Sequence, residues 1–108
     1  MSDDQEFATV ARADDVGPGE LRYVELDGEP VCLINADGEF FAIGDTCTHE
    51  GASLADGVLL GDILECPLHG GSYEIRTGAP AGRPVTEAAR TYRVRVVDGD
   101  VQLAPALA

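Results

Sequence analysis

Short apolar stretches, several rich in β-branched residues, recur along the chain between turn dipeptides at nearly regular spacing. Leu21-Arg22-Tyr23-Val24-Glu25-Leu26 runs into Asp27-Gly28, and Val31 to Asn35 runs into Asp37-Gly38. Glu39 to Ile43 follows, and later Thr91 to Val97 alternates Tyr92, Val94 and Val96 against Arg93 and Arg95 before Asp98-Gly99 and Val101-Gln102-Leu103. Asp-Gly between alternating runs predicts two-residue β-hairpins. Val58 to Glu65 reads as two short strands around a Gly61-Asp62 turn, and Gly70 to Ile75 as a loop and a strand. No segment carries the three-to-four spacing of a long amphipathic helix; Asp14 to Val16 or Thr86 to Ala89 fits a single helical turn. Ala79 to Pro84, rich in Pro and Gly, reads as a crossing segment. The expected fold class is all-β: one domain over 1–108, with 46–78 a small subdomain carried on a barrel-like base.

Within that expected subdomain lie Cys47-Thr48-His49 and, sixteen residues on, Cys66-Pro67-Leu68-His69. Each Cys–His pair closes within one tight loop at a sheet edge. Cys47, His49, Cys66 and His69 are the candidate ligands. Two thiolates suit one iron and two imidazoles suit another, the donor set of a sulfide-bridged [2Fe–2S] centre with mixed ligation. With neutral imidazoles, two ferric irons, two sulfides and two thiolates cancel in charge, so reduction adds one negative charge, expected on the His-bound iron. The Cys-bound iron is expected inside and the His-bound iron at the tip. Pro67 stiffens the second loop by fixing φ. Glycines 51, 70 and 71 are expected to let backbone N–H groups approach the sulfides. The competing site is a mononuclear Cys2His2 zinc, but zinc fingers pair Cys with Cys and His with His, whereas each pair here is mixed.

Charge narrows the partners. Twenty acidic residues face seven arginines and no lysine, a formal net charge of −13. Such a field repels nucleic acid and anionic membranes and steers basic protein surfaces inward. Asp45, Glu50 and Asp56 flank the first loop in sequence and are expected to push the potential down. The third cysteine, Cys32, sits in Val31-Cys32-Leu33-Ile34 and reads as a small buried hydrophobe rather than half of a disulfide. The acidic start, with no basic flank and no long apolar run, argues against a secretory signal and a membrane anchor, and so for the cytoplasm.

At these residues the chain resembles the Rieske ferredoxins. Cys47-Thr48-His49-Glu50-Gly51-Ala52-Ser53-Leu54 and Cys66-Pro67-Leu68-His69-Gly70-Gly71-Ser72-Tyr73 are similar to that family's two cluster-binding boxes. Ile75-Arg76-Thr77-Gly78-Ala79-Pro80 and Tyr92-Arg93-Val94-Arg95-Val96 resemble its continuation. The resemblance implies three antiparallel sheets, with the cluster at the tip of the small subdomain. Membrane-bound respiratory members carry an extra cysteine in each box, joined as a disulfide; Ala52 and Leu68 stand at the matching places. Gly71 stands where those members have a sulfide-bonding serine. Tyr73 matches the tyrosine that bonds a ligand sulfur in that branch, and is open between that role and packing. These departures imply a low potential, suited to feeding an oxygenase.

The resemblance implies a soluble one-electron carrier, not an enzyme by itself. It would take electrons from an NAD(P)H-dependent flavin reductase and pass them to a terminal Rieske non-haem iron oxygenase that hydroxylates an aromatic or similar ring. Docking would be transient and electrostatic, and the carrier a monomer. A small subunit of an assimilatory nitrite reductase and an accessory ferredoxin of iron–sulfur cluster assembly are the alternatives. Phe40 and Phe41 read as packing, and Arg76 as a surface salt bridge.

Overall fold

The computed structural model describes residues 6–48, 51–68, 70–83 and 85–106. Among these residues ten strands form three antiparallel sheets: β1 (Ala8–Arg12), β10 (Asp100–Pro105) and β9 (Tyr92–Val97) in one; β2 (Leu21–Leu26), β3 (Glu29–Ala36) and β4 (Glu39–Gly44) in the second. The third comprises β5 (Val58–Leu60), β6 (Ile63–Glu65), β7 (Ser72–Glu74) and β8 (Pro80–Gly82) in chain order. The all-β expectation and the count of three sheets both hold.

Turn chemistry sets most of the connections. Asp27-Gly28, Asp37-Gly38 and Asp98-Gly99 all have positive φ at both residues, the backbone of a type I′ turn, which matches strand twist. At Gly61-Asp62 only the glycine is left-handed, at φ 64. That step joins Leu60 to its register partner Ile63.

β3 explains why Val31-Cys32-Leu33-Ile34 is an uninterrupted apolar run: the strand is buried on both faces. Val31 and Leu33 join Val16, Val24, Leu26, Ala42, Val101 and Leu103 in one core. Cys32 and Ile34 face the other way, into a core with Ile43, Leu54, Leu64, Tyr73 and Ile75. The first core fills the space between the two base sheets, which also meet at an Ile43–Thr91 bridge and a 2.8 Å bond from the Gly44 N–H to the Arg90 carbonyl. The second core joins the base to the third sheet.

Two local expectations need correction, and one strand was not anticipated. β1 lies in a segment that shows no alternation, because a bulge between Thr9 and Ala11 interrupts its pairing with β10. The expected crossing at 79–84 contains an edge strand, β8, and an edge tolerates Pro80. No helical turn forms at 86–89. There the Ala89 N–H bonds the distant Gly78 carbonyl at 2.8 Å, and Val85 and Ala89 turn into the second core. The helical turn at the other position does form, as a 3-10 turn over Ala13–Asp15.

Candidate metal centre

The two cysteine loops are built on one frame. In the first, the Cys47 N–H donates to the Ala52 carbonyl at 2.8 Å and the Gly51 N–H donates to the Cys47 carbonyl at 2.9 Å. In the second, the Cys66 N–H donates to the Gly71 carbonyl at 2.6 Å and the Gly70 N–H to the Cys66 carbonyl at 3.2 Å. Each cysteine is thus bonded five residues on and receives a bond from the glycine four residues on. Both glycines are left-handed, at φ 79 and 74, where an L-residue is strained. Their N–H groups are therefore spent inside the loops. At Gly51 and Gly70 glycine is needed for its backbone conformation.

Cys47 and Cys66 are only 4% and 3% exposed and share one core with Leu54, Leu64 and Tyr73. Outside them the loops are open: Thr48, Gly51, Pro67 and Gly70 are exposed, and Leu68 is 51% exposed. The structure therefore brings the two predicted thiol ligands into one buried cluster beneath exposed loop tips. The other two predicted ligands, His49 and His69, lie outside the described residues, as does Glu50.

Asp45 is not part of a surface field. It is 2% exposed, and its carboxylate accepts from the Ser53 hydroxyl at 2.6 Å and from the Ala55 N–H at 2.8 Å. Its carbonyl accepts the Leu54 N–H at 2.7 Å. The residue counted above among potential-lowering charges is also the internal brace of the first loop; Asp56 remains exposed. No hydrophobic pattern marks such a brace in sequence, because an Asp before a loop reads equally well as a solvated turn residue.

Tyr73, on β7, reaches across to the first loop. It is fully buried, and its hydroxyl donates to the Cys47 sulfur at 3.5 Å. Packing and sulfur bonding, posed above as alternatives, coexist. The same oxygen accepts the Thr48 N–H at 2.8 Å and lies 2.8 Å from the Thr48 hydroxyl. Burial, and then the hydrogen bond to Cys47, push the Tyr73 phenol above its ordinary value of 10.0, while the Thr48 bonds pull it down. Thr48 attracted no role from sequence, since a threonine between two predicted ligands carries no signal of its own.

Around the centre, Cys32 is completely buried, and its thiol is pushed up by desolvation and then by the Asp45 charge. Arg76 pairs with Glu39 at 3.5 Å and Asp62 at 3.6 Å across exposed side chains and lies 4.8 Å from the Phe41 ring centre. It is a surface salt bridge, as expected, and worth little to stability. Phe40 and Phe41 pack, half-buried, on the first and second cores respectively. Among the described residues, no group of three or more His, Cys, Asp or Glu side chains gathers as a metal site of its own.

The donor set fits an iron–sulfur group. Two cysteines presented from equal loops into a shared apolar pocket, one already holding a phenol donor, are what a thiolate pair bound to iron requires. Comparison with known proteins agrees. Residues 6–93 match the family described as the Rieske [2Fe-2S] domain. The chain is 41% identical over 101 residues to Ferredoxin CarAc of Metapseudomonas resinovorans, covering 93% of this chain and 94% of that protein. It is 42% identical over 96 residues to the biphenyl dioxygenase ferredoxin subunit of Pseudomonas sp. (strain KKS102), covering 88% of each. A chain in the complex of reduced oxygenase and oxidized ferredoxin in carbazole 1,9a-dioxygenase superposes with a TM-score of 0.89 at 39% identity, covering 96% of this chain and 99% of that one.

Proposed function

This chain belongs to the Rieske [2Fe-2S] domain family, and from that premise we propose that it is the ferredoxin component of a multicomponent ring-hydroxylating dioxygenase system. It accepts one electron at a time from an NAD(P)H-dependent flavin reductase and delivers it to a terminal oxygenase, without turnover of its own. When bound, the cluster supplies a reversible one-electron store. Cys47, His49, Cys66 and His69 hold it, with 46–78 acting as the cluster-binding part of a single domain over 1–108.

The chain's own residues support that work in separable ways. Cys47 and Cys66 take their ligand positions from the base of two rigid loops, so the thiolates stay screened from water and oxidant. Leu68 and Pro67 stand exposed beside the second loop, where a partner surface would press. The acidic field steers basic partner faces in transient docking by a monomer, in the cytoplasm. No helix among the described residues is long and apolar enough to cross a membrane. The observation that carries the reading is the pair of equal loops aiming Cys47 and Cys66 into one buried cluster.

Reconstitution tests it. The reduced protein mixed with a flavin reductase, NADH and a terminal oxygenase should make substrate hydroxylation depend on its presence, with rates falling as salt rises. Rates that stay flat with salt would remove the steering. Purification as a fixed subunit of a larger reductase would replace the carrier reading with the nitrite reductase alternative.

A further inference from the structure

The hydrogen bonds around Tyr73 give Thr48 a task although it ligates nothing. Four polar atoms form a chain: the Glu87 carbonyl oxygen, Thr48 Oγ1, Tyr73 Oη and Cys47 Sγ, separated by 3.1, 2.8 and 3.5 Å. A carbonyl only accepts, and a cysteine sulfur bound to metal is a thiolate that only accepts. Two hydroxyl protons must therefore serve three contacts.

Two arrangements satisfy the central contact. In one, Thr48 donates to Tyr73 and Tyr73 donates to Cys47. In the other, Tyr73 donates to Thr48, Thr48 donates to the Glu87 carbonyl, and the sulfur loses the phenol proton. A third, with both protons pointing away from each other, sets two oxygens lone pair to lone pair at 2.8 Å and is repulsive. The Thr48 N–H, which donates to Oη at 2.8 Å in every case, holds that oxygen in place while its proton turns. The ends of the chain differ too. The Glu87 contact is exposed, so water replaces a lost bond there, whereas the Cys47 contact is buried.

We propose that Thr48 is a positioning residue that makes the Tyr73-to-Cys47 hydrogen bond conditional on the charge of the cluster. The phenol proton turns to the sulfur when an electron arrives and back to the Thr48 oxygen when it leaves. The inference rests on the reading of the site given above. A negative charge added to the cluster, even one held on the His-bound iron, makes the potential at the Cys47 sulfur more negative and strengthens it as an acceptor in a hydrogen bond that is already charge-assisted. Each proton stays on its own oxygen; only the two hydroxyl rotors turn, and no covalent bond is made or broken. Donors to a ligand sulfur stabilise the reduced state. A competing acceptor for the same proton therefore holds the potential below what Tyr73 alone would give.

The test is the midpoint potential of the purified holoprotein and of Thr48→Val, Tyr73→Phe, the double variant and Thr48→Ser. Thr48→Val should raise the potential, because the phenol proton has only the sulfur left. Tyr73→Phe should lower it, Thr48→Ser should leave it near the parent value, and Thr48→Val should be silent once Tyr73 is Phe. A fall or no change in Thr48→Val, or an equal shift with and without the phenol, overturns the proposal. Should Thr48→Val not hold a cluster, electron–nuclear double resonance on the reduced parent decides instead. An exchangeable proton coupled to the cluster, lost in Tyr73→Phe and unchanged in Thr48→Ser, supports the switch; its absence from the parent overturns it. A parent with no iron–sulfur signal at all overturns the family reading as well, so the two failures are distinguishable.

Discussion

The two cysteine loops share a hydrogen-bond frame but not a means of support. The second is the tip of a hairpin: β6 enters it, β7 leaves it, and the ladder Ile63–Glu74, Leu64–Tyr73, Glu65–Ser72 holds its ends together. Among the described residues the first has no such ladder. It has a single Thr46–Ser53 bridge and then a 3-10 turn over Leu54–Asp56, so a buried carboxylate takes over the work of strands. Its outer limb is held from outside, by Tyr73 on Thr48 and by the Thr48 hydroxyl on Glu87. A ligand loop can thus be fixed by regular pairing or by side chains, and the side-chain route gives the chain places at which to tune the centre.

The largest effect should come from removing the brace that only one loop has. Asp45→Ala deletes two hydrogen bonds to a buried carboxylate and orphans the Ala55 N–H, a loss of about 3 kcal/mol or more. Denaturant unfolding should show it, and amide exchange should quicken at Leu54 and Ala55 well before Leu64 and Tyr73. Equal quickening in both loops would mean that they are supported alike. Next in size are the shared glycines. A Cβ at Gly51 or at Gly70 meets nothing within 4 Å, so Gly51→Ala and Gly70→Ala isolate the left-handed backbone. Each should cost about 1–2 kcal/mol, and the two costs should be similar if the frames are the same.

The smallest effect separates the core beneath the loops from the loops themselves. Burial raises the Cys32 thiol above its ordinary value of 9.0, so the folded chain keeps a proton that the unfolded chain releases. Its contribution is complete below pH 9 and is lost as pH rises beyond that, because the unfolded state is then favoured by deprotonation. Cys32→Ala should flatten this alkaline decline relative to the parent. The comparison of slopes cancels whatever the other two thiols contribute. An unchanged slope would show that Cys32 has no part in it.

Legibility in the sequence followed the periodicity of each element. β2, β3, β4, β9 and β10 announced themselves because Asp-Gly turns bound runs with a single pairing register, and β3 because burial on both faces leaves an unbroken apolar run. β1 was hidden by its bulge, and β8 by Pro and Gly that only an edge position permits. At the site, the meeting of Cys47 and Cys66 in one buried cluster was legible because each cysteine opens a short Cys–His loop of the same kind. Asp45 and Thr48 were not, since their value lies in partners that only folding supplies: Ser53 and Ala55 for one, Tyr73 and Glu87 for the other. Gly51 and Gly70 carry a requirement the sequence did not show, because sequence shows where a Cβ is missing and not which torsion required its absence.

The central claim is that the two loops jointly hold one [2Fe–2S] centre with thiolates on one iron and imidazoles on the other. Electron paramagnetic resonance of the dithionite-reduced protein, with nitrogen couplings resolved by double resonance, tests it most directly. The account predicts a rhombic signal from one reduced cluster per chain, coupled to two imidazole nitrogens and lost in both Cys47→Ser and Cys66→Ser. A signal without nitrogen coupling, or a colourless protein carrying one zinc per chain, would contradict it.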